Sequence, residues 1–332
     1  MSWNSAPFLS VGIEEELLLV DAETLDLVPA FEQVVPDPGP RIKPELFACL
    51  LEIATKPCET VEVALRELRE LRAEVRARAE GQGARVIASG THPISHAAAQ
   101  TILPYERYER IRDQLGEKLT TQVVCGLHVH VAVPDEEVAL QAFEGVIPWL
   151  PVLLALSANS PFAEGAPTGL RSTRAERLLL MPTGGTPPLL PDWAAWEEAT
   201  AGDDTRRHWD AWPRPEHGTL EVRVMDQPTD VRRSAGLASI VQALVATTME
   251  REHEAYDREL YARRRADAAR RLPDLTEVDA LRVTIEPAVH ELGTGELVQH
   301  VLEGRPEAER QLELGVEAAL RDLAVRSVES AP

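Results

Sequence analysis

The stretch from residue 11 to residue 20 constrains the chain most, because it has the apolar pattern of a buried strand and carries three consecutive glutamates. Side chains alternate along a strand, so Glu14 and Glu16 share a face with Gly12, whereas Glu15 points to the opposite, apolar face. Two carboxylates on one face repel each other, and between apolar flanks they need a cation, a proton or water. A divalent metal that prefers hard oxygen ligands, such as Mg²⁺, meets that need most directly, and a solvated acidic strand end is the alternative.

A second apolar run, residues 44–55, also holds two acids, Glu45 and Glu52. If the run is helical, the two acids lie on one face two turns apart. If its end is a strand, Glu52 alternates away from Leu51 and Ile53. Either geometry presents both acids to one site, and an exposed amphipathic face is the alternative.

Residues 121–134 alternate strictly and predict a third buried strand. Gly126, His128 and His130 share one face, and the opposite face carries Val123, Cys125, Leu127, Val129 and Val131. Two imidazoles on one strand face serve as metal ligands, as donors to phosphate or carboxylate, or as hydrogen-bonded core residues.

A fourth stretch, residues 218–226, alternates apolar side chains with Glu221 and Arg223. This pair is either a plain ion pair or a metal ligand beside a phosphate clamp. Before it lies a long irregular region, residues 163–216, which contains Arg171 and Arg174; loops of this length are often functional lids.

Composition narrows the class of protein further. The net charge of -21 over 332 residues argues against a general nucleic-acid or anionic-membrane partner, since both need a basic surface. The three cysteines show no CxxC spacing and predict reduced core thiols in a cytoplasmic protein. The N-terminus lacks a secretory signal pattern, and residues 146–158 are too short to span a bilayer and predict a buried helix.

Taken together, the four segments predict a sheet that collects acids, imidazoles and a guanidinium on one face. Several carboxylates plus a histidine would hold two or three Mg²⁺ ions, which neutralise the phosphates of a nucleotide such as ATP. A nearby arginine would stabilise the transferred phosphoryl group.

The same segments resemble the motif series of the type 2 glutamate-cysteine ligase family, the bacterial carboxylate-amine ligases of the glutamine synthetase-like superfamily. The matching motifs, in order, are VGIEEE at residues 11–16, LEIAT at 51–55, CGLHVH at 125–130, SANSPF at 157–162 and GTLEVR at 218–223.

The resemblance implies an α+β fold: a curved, mainly antiparallel sheet with helices on its outer side and the active site in its concave face. The chain would form one catalytic domain, residues 1–332, with a motif-bearing core of about residues 8–247 and a helical C-terminal part of about residues 248–328. Its activity would be ATP-dependent activation of a carboxylate, that of glutamate in the family, followed by attack of an amine such as cysteine.

The resemblance also implies roles for single residues. The metal ligands would be Glu14, Glu16, Glu45, Glu52, His128 and Glu221. Arg223 would be catalytic, through contact with the transferring phosphate. His130 would lie near the substrate or the phosphate. From their place in the long irregular region, we also expect Arg171 and Arg174 to contact ATP or the other substrates.

One departure from the family pattern concerns substrate contacts. Family members usually read Trp-Asp-x-Arg-Pro where this chain has Trp209-Asp210-Ala211-Trp212-Pro213, so Trp212 replaces an arginine unless Arg214 substitutes for it. There are two alternatives to a ligase. The first is phosphoryl transfer onto a guanidino group, which would require a cysteine late in the chain, whereas the last one here is Cys125. The second is a non-catalytic binding protein.

We expect small-molecule partners and a homo-oligomer.

Overall fold

The computed structural model of the chain describes residue 3 and residues 6–202, 208–248 and 257–327. The strands are β1 (Val11–Asp21), β2 (Ile42–Pro44), β3 (Leu50–Ala54), β4 (Ala84–Ile87), β5 (Gly126–Ala132), β6 (Phe162–Ala163), β7 (Ala166–Pro167), β8 (Ala211–Arg214) and β9 (Thr219–Asp226). Seven of them form one antiparallel sheet in the order β2-β3-β1-β5-β9-β8, with β4 paired to the end of β1. Strands β6 and β7 form a separate small hairpin.

Helices pack against this sheet. They are α1 (Phe31–Val34), α2 (Val61–Glu80), α3 (Glu106–Leu115), α4 (Glu136–Val146), α5 (Leu150–Ser157), α6 (Thr173–Leu178), α7 (Trp193–Ala199), α8 (Val231–Thr248), α9 (Arg258–Ala268), α10 (Leu275–Leu292), α11 (Gly295–Leu302), α12 (Glu307–Leu314) and α13 (Val316–Arg326). The predicted α+β fold with an antiparallel sheet is confirmed.

The predicted alternation along β1 sets the two faces of the sheet. Its side chains Val11, Ile13 and Leu17 are completely buried in the main hydrophobic core, which also takes in the apolar faces of α2 and α8. The helices therefore cover one face of the sheet. Glu14 and Glu16 lie on the other face, which stays open to a cavity.

Glu15 lies on the helix-covered face and is fully buried, as the alternation predicts. The Arg72 guanidinium on α2 donates to both of its carboxylate oxygens, over 2.7 and 2.8 Å. Ser234 on α8 and Gln227 at the end of β9 also donate to this carboxylate. One charged network therefore joins β1 to two helices, and each member of it is hydrogen-bonded as a buried charge requires.

The SANSPF motif at residues 157–162 is a structural junction. The Asn159 amide group donates to the carbonyl of Gln227, and its side-chain oxygen accepts from Gln311 on α12. The Ser160 hydroxyl donates to the buried carboxylate of Asp226 at the end of β9. This motif attaches the C-terminal helices to the sheet and contributes no side chain to the cavity.

The structure decides between the alternatives for residues 44–55. The end of that run is strand β3, whereas Glu45 lies in the short irregular segment before it. Residues 36–44 are rich in proline, and their last three residues form the edge strand β2, which the proline pattern does not indicate.

Other local predictions need adjustment. The region of residues 163–216 contains β6, β7, β8, α6 and α7, although residues 203–207 lie outside the described part. Within residues 234–271 the described helices are α8 and α9, and residues 249–256 are not described. The described part of the chain after residue 272 has four helices, α10 to α13.

The apolar run near residue 150 is longer than the sequence suggested. A 3₁₀ turn at Ile147–Trp149 joins α4 to α5 and accommodates the prolines at the first turn of α5, where a missing N–H costs little. The combined run Glu136–Ser157 is long and apolar enough to cross a membrane by length and composition, but 67% of its most apolar window is buried. Core helices pass the same test, and the predicted buried helix is confirmed.

Candidate active site

A cavity of 350 Å³ opens on the face of the sheet opposite α2 and α8. Nine of the ten residues predicted for the site line it: Glu14, Glu16, Glu45, Glu52, His128, His130, Arg174, Glu221 and Arg223. Arg171 does not line the cavity. Alternation of side chains along the strands therefore predicted most of the residues that line the cavity.

Strand register explains why these side chains meet. Antiparallel pairing sets Glu16 opposite Glu52, Glu14 opposite His128, and His130 opposite Glu221. Directly paired residues in a sheet point to the same face and hold their Cβ atoms about 4.5–5.5 Å apart. The register between β5 and β9 shifts between Leu127 and Val129, at the position of His128.

Three carboxylates converge at one end of the cavity. One oxygen from each of Glu16, Glu45 and Glu52 lies within 4.8 Å of the other two. Burial, reinforced by the charge of Glu16, raises the pKa of Glu45 to about 7. Burial and the charges of Glu14 and Glu45 likewise raise the pKa of Glu52 well above its usual range. Glu45 and Glu52 therefore favour their protonated forms more than free carboxyl groups do.

Glu14 lies between this group and the two histidines. Its Oε2 atom is 3.6 Å from Nδ1 of His128 and 3.7 Å from Nε2 of His130, and its Oε1 is 3.2 Å from the ammonium of Lys43. Burial alone would raise the pKa of Glu14, but the histidine hydrogen bonds and the His130 and Lys43 charges outweigh it and hold that pKa far below its usual range. Glu14 is therefore ionised throughout the physiological range.

The donor set fits Mg²⁺. The three converging carboxylates supply hard oxygen atoms at one point, next to the Lys43 ammonium that pairs with Glu52. Close by, the buried Nε2 atom of His128 has no hydrogen-bond partner in the described part of the chain and lies 3.8 Å from Glu16. A buried nitrogen left unpaired in this way is a candidate metal ligand.

Guanidinium groups occupy the other end of the cavity. The Glu221 carboxylate accepts from Arg214 over 2.5 Å, and its second oxygen lies 3.4 Å from Arg223. Burial would raise the pKa of Glu221, but the charges of Arg223, His130 and Arg214 lower it to about 2. Both Glu221 oxygens are thus paired with arginines, and Glu221 lies outside the group of three converging carboxylates.

Arg174, on α6, is buried against β5 and β9. It donates to the backbone carbonyls of Arg223 and Val224, and among the described residues its Nε atom has no hydrogen-bond partner. A Cβ at Gly126 would come within 2.1 Å of its guanidinium, so only glycine leaves room for this arginine. Arg174 is therefore a fixed positive charge beneath Arg223.

The structure does not bring Arg171 to the site. Its Nε atom donates to Glu309 over 2.8 Å, and its Nη1 donates to the backbone carbonyl of Arg270. These contacts attach the segment before α6 to the C-terminal helices. The predicted substrate contact of Arg171 has no support in this arrangement.

The substituted position Trp212 lies on β8 and pairs in register with Glu221. Arg214, two residues further along β8, lies on the same face, and its guanidinium is 4.5 Å from the centre of the Trp212 ring. The aromatic face and the carboxylate of Glu221 together hold this guanidinium in the cavity. Arg214 thus supplies a guanidinium at the site in spite of the tryptophan at position 212.

The sequence pattern missed several cavity residues. Lys43 on β2, Arg107 on α3, His208 and His217 all line the cavity. Lys43 is paired in register with Glu52, so its face would have been predictable if β2 had been identified as a strand. Arg107, His208 and His217 come from a helix and two loops, whose approach to the cavity no periodicity in the sequence indicates.

The cysteines take no part in the site. All three are free and buried, as predicted, and none of them lines the cavity. Burial raises the pKa of the Cys49 thiol to about 12 and that of Cys125 well above its usual range. Neither thiol is a nucleophile at neutral pH, which disfavours the guanidino phosphotransferase alternative.

Comparison with known sequences identifies the family. The sequence pattern described as glutamate-cysteine ligase family 2 matches residues 10–327. A protein of Rubrobacter xylanophilus, provisionally named glutamate–cysteine ligase 2-1, is 41% identical over 255 residues, which span 73% of this chain and 68% of that protein. A protein of Roseiflexus, provisionally named glutamate–cysteine ligase 2, is 32% identical over 98% of this chain and 96% of its own length.

Solved structures show the same fold. The glutamate–cysteine ligase of Francisella tularensis, solved in complex with AMP, superimposes with a TM-score of 0.71 at 15% identity, covering 97% of this chain and 89% of that one. A bifunctional glutathione synthetase from Pasteurella multocida gives 0.63 at 15% identity and 97% coverage of this chain, which corresponds to 52% of that longer protein. The chain therefore belongs to glutamate-cysteine ligase family 2 and is a ligase of the glutamate–cysteine ligase type.

Proposed function

We propose that the cavity is the active site of an ATP- and Mg²⁺-dependent carboxylate-amine ligase. The carboxylate, which we propose is the γ-carboxylate of glutamate, would be activated as an acyl phosphate and joined to an amine such as cysteine, with release of ADP and phosphate. The observation that carries this proposal is one cavity with converging carboxylates at one end and paired guanidinium groups at the other. The family membership supports the ligase reading over the non-catalytic alternative.

Mg²⁺ would be held at the acidic end of the cavity, which is the end lined by Glu14, Glu16, Glu45 and Glu52. Glu16, Glu45 and Glu52 supply oxygen ligands for one ion, and Glu14 with His128 supplies ligands for a second. When bound, the ions supply the positive charge that neutralises the phosphates of ATP. The AMP complex of the Francisella tularensis ligase, which shares the fold, is consistent with a nucleotide in this cavity.

The arginines would act on the group that is transferred. Arg223 and Arg214 present two guanidinium groups to one side of the cavity, and Arg174 adds a fixed charge behind them. Guanidinium groups bind phosphate oxygens with two parallel hydrogen bonds, so this pair suits a phosphoryl group that gains negative charge during transfer. We assign Glu221, which was predicted as a metal ligand, to the positioning of these arginines.

His130 lies between the two ends, where it contacts Glu14 and is hydrogen-bonded to Thr219 through Nδ1. This hydrogen bond fixes the ring and leaves Nε2 directed at the acidic end. We propose that His130 contacts the substrate or the transferring phosphate.

The reaction would run in two steps. A carboxylate oxygen attacks the γ-phosphorus of ATP, the bond to the bridging oxygen breaks, and ADP leaves. In the second step the amine attacks the acyl carbon and loses a proton. The bond between the acyl carbon and its phosphorylated oxygen breaks, so the released phosphate carries one oxygen of the original carboxylate. The protein contributes orientation and fixed charge to both steps.

An omission assay tests the proposal. ADP and phosphate release would be measured with ATP, Mg²⁺ and pooled amino acids, leaving out one acid or one amine at a time. We expect release that depends on glutamate and on a single amine, which would name both substrates. ADP release without an amide product, together with a stable phosphorylated product, would indicate phosphoryl transfer instead. Absence of release from every pool would contradict the ligase assignment.

We propose that the protein acts on small molecules in the cytoplasm as a homo-oligomer. Nucleic acid and membrane are not expected partners, because the net charge of -21 repels polyanions. Sedimentation equilibrium of the purified chain tests the oligomeric state, and a monomer at all concentrations would contradict it.

A further inference from the structure

Lys43 is the cation of the acidic end of the cavity. Its ammonium contacts Glu14 over 3.2 Å and forms a closer ion pair with Glu52, its register partner across β2 and β3. In the part of the chain that the structure describes, no other lysine or arginine pairs with Glu14, Glu16, Glu45 or Glu52. The acidic end therefore depends on one flexible side chain for its positive charge.

The remaining cavity cations are committed elsewhere. Arg214 and Arg223 pair with Glu221, and Arg174 donates to backbone carbonyls. Arg107 lies on α3, and no ion pair joins it to these acids among the described residues. Lys43 thus has a function in the cavity that none of the arginines shares.

A bound metal would compete with the Lys43 ion pairs. Mg²⁺ binds carboxylate oxygens at about 2.0–2.1 Å, which is closer than an ammonium approaches. A metal on Glu14 or Glu52 would place a second positive charge close to the carboxylates that Lys43 contacts and would repel its ammonium at short range. Lys43 is free to leave, since its side chain is 36% exposed and it lies on a three-residue edge strand.

We propose that Lys43 is a resident counter-ion that holds Glu14 and Glu52 together in the metal-free enzyme and is displaced when Mg²⁺ binds. In the metal-free state its charge compensates two close carboxylates, and in the metal-bound state the ion takes over that task. The apparent affinity for metal is consequently lower than the carboxylates alone would give. This inference rests on the proposed metal site and adds a residue that sets its affinity.

The test is Mn²⁺ binding to metal-free protein, with the electron paramagnetic resonance signal of free Mn²⁺ as the readout. Wild type would be compared with Lys43→Gln, which removes the charge, and with Lys43→Arg, which keeps it. Lys118→Gln is the matched control, because Lys118 is exposed and does not line the cavity. At low ionic strength we expect Lys43→Gln to bind Mn²⁺ about tenfold more tightly than wild type. Lys43→Arg and Lys118→Gln should remain close to wild type.

Thermal melting gives a second readout that does not depend on activity. In EDTA, Lys43→Gln should melt about 2–4 °C below wild type, because its paired carboxylates lack a counter-ion. Saturating Mn²⁺ should remove that difference. A purely structural role for Lys43 would lower the melting temperature equally with and without metal.

The outcomes separate the two proposals. Equal Mn²⁺ affinity in wild type and Lys43→Gln would overturn the counter-ion role and leave the metal site standing. Tighter binding by both Lys43→Gln and Lys43→Arg would also overturn it, because charge would not be the cause. Absence of Mn²⁺ binding in every protein would overturn the metal site itself, and the counter-ion role with it.

Discussion

At the scale of single residues, the face on which an acid lies decides its role. Glu14 and Glu16 face the cavity and lie among other acids and histidines. Glu15, between them in the sequence, faces the helices and is compensated by Arg72. Glutamate therefore lines the cavity at positions 14 and 16, whereas at position 15 it stabilises the packing of the helices on the sheet.

The acids of the cavity should matter for activity more than for stability. We expect Glu52→Gln to reduce ADP formation by about 10²-fold or more, since an amide is a poor ligand for Mg²⁺. Its melting temperature should stay within about 3 °C of wild type, because the change also removes repulsion from Glu14 and Glu45. Kinetic assays and thermal melting check both statements, and unchanged turnover would contradict the metal assignment.

Two arginines provide a matched comparison. Arg214→Met should lower kcat/KM by about 10²-fold, because it removes a guanidinium from the charge that surrounds the transferred phosphoryl group. Arg171→Met should leave kcat/KM close to wild type, since Arg171 pairs with Glu309 away from the cavity. Steady-state measurement of kcat/KM for both variants shows which of the two arginines contributes to the active site. A larger loss in Arg171→Met would show that the site extends beyond this cavity.

At the scale of secondary-structure elements, the buried Glu15 network attaches the helices to the sheet. It joins β1 to α2 through Arg72 and to α8 through Ser234. Through the same strand, the helices fix the position of Glu14 and Glu16 on the opposite face. The cavity is thus supported from behind by one charged cluster that makes no contact with it.

Breaking this network should destabilise the protein. We expect Arg72→Met to lower the free energy of unfolding by about 3–5 kcal/mol, because it leaves the Glu15 charge buried without its partner. Equilibrium unfolding in urea measures the change. Arg76→Met, which removes an exposed pair with Glu80 one turn along α2, is the control and should have little effect. Equal stability of the two variants would contradict the structural role of the Glu15 network.

The elements also show what the sequence can predict. Strands β1, β5 and β9 were recognisable because each buries apolar side chains on one face and carries charged or imidazole groups on the other. β2 was hidden because its three residues adjoin a proline-rich loop, and Lys43 was hidden with it. Arg171 and Arg174 could not be told apart, since which of them reaches the cavity depends on the path of a long connection that has no periodic pattern.

At the scale of the whole molecule, an acidic protein encloses a cavity of mixed charge. The net charge is -21, yet four arginines and a lysine line the cavity together with its five glutamates. The local arginines can attract an anionic nucleotide that the surface as a whole repels. The acidic end, in contrast, has Lys43 as its cation, and we propose that a divalent ion adds further positive charge there.

Mg²⁺ should therefore stabilise the folded protein. A ligand that binds only the native state raises stability as its concentration exceeds its dissociation constant, by about 2.7 kcal/mol at a hundredfold excess. We expect the melting temperature to rise with Mg²⁺ after treatment with EDTA, and expect the rise to be much smaller in Glu52→Gln. Differential scanning calorimetry at constant ionic strength measures it. An identical rise in both proteins would place the bound ion elsewhere.

The most direct test of the central claim is the fate of the substrate's carboxylate oxygen. The acid identified by the omission assay would be labelled with ¹⁸O in its carboxylate, and the released phosphate would be analysed by mass spectrometry. Activation as an acyl phosphate predicts that each phosphate carries one labelled oxygen and that ADP is the nucleotide product. Unlabelled phosphate, or AMP with pyrophosphate, would contradict the proposed chemistry of this cavity.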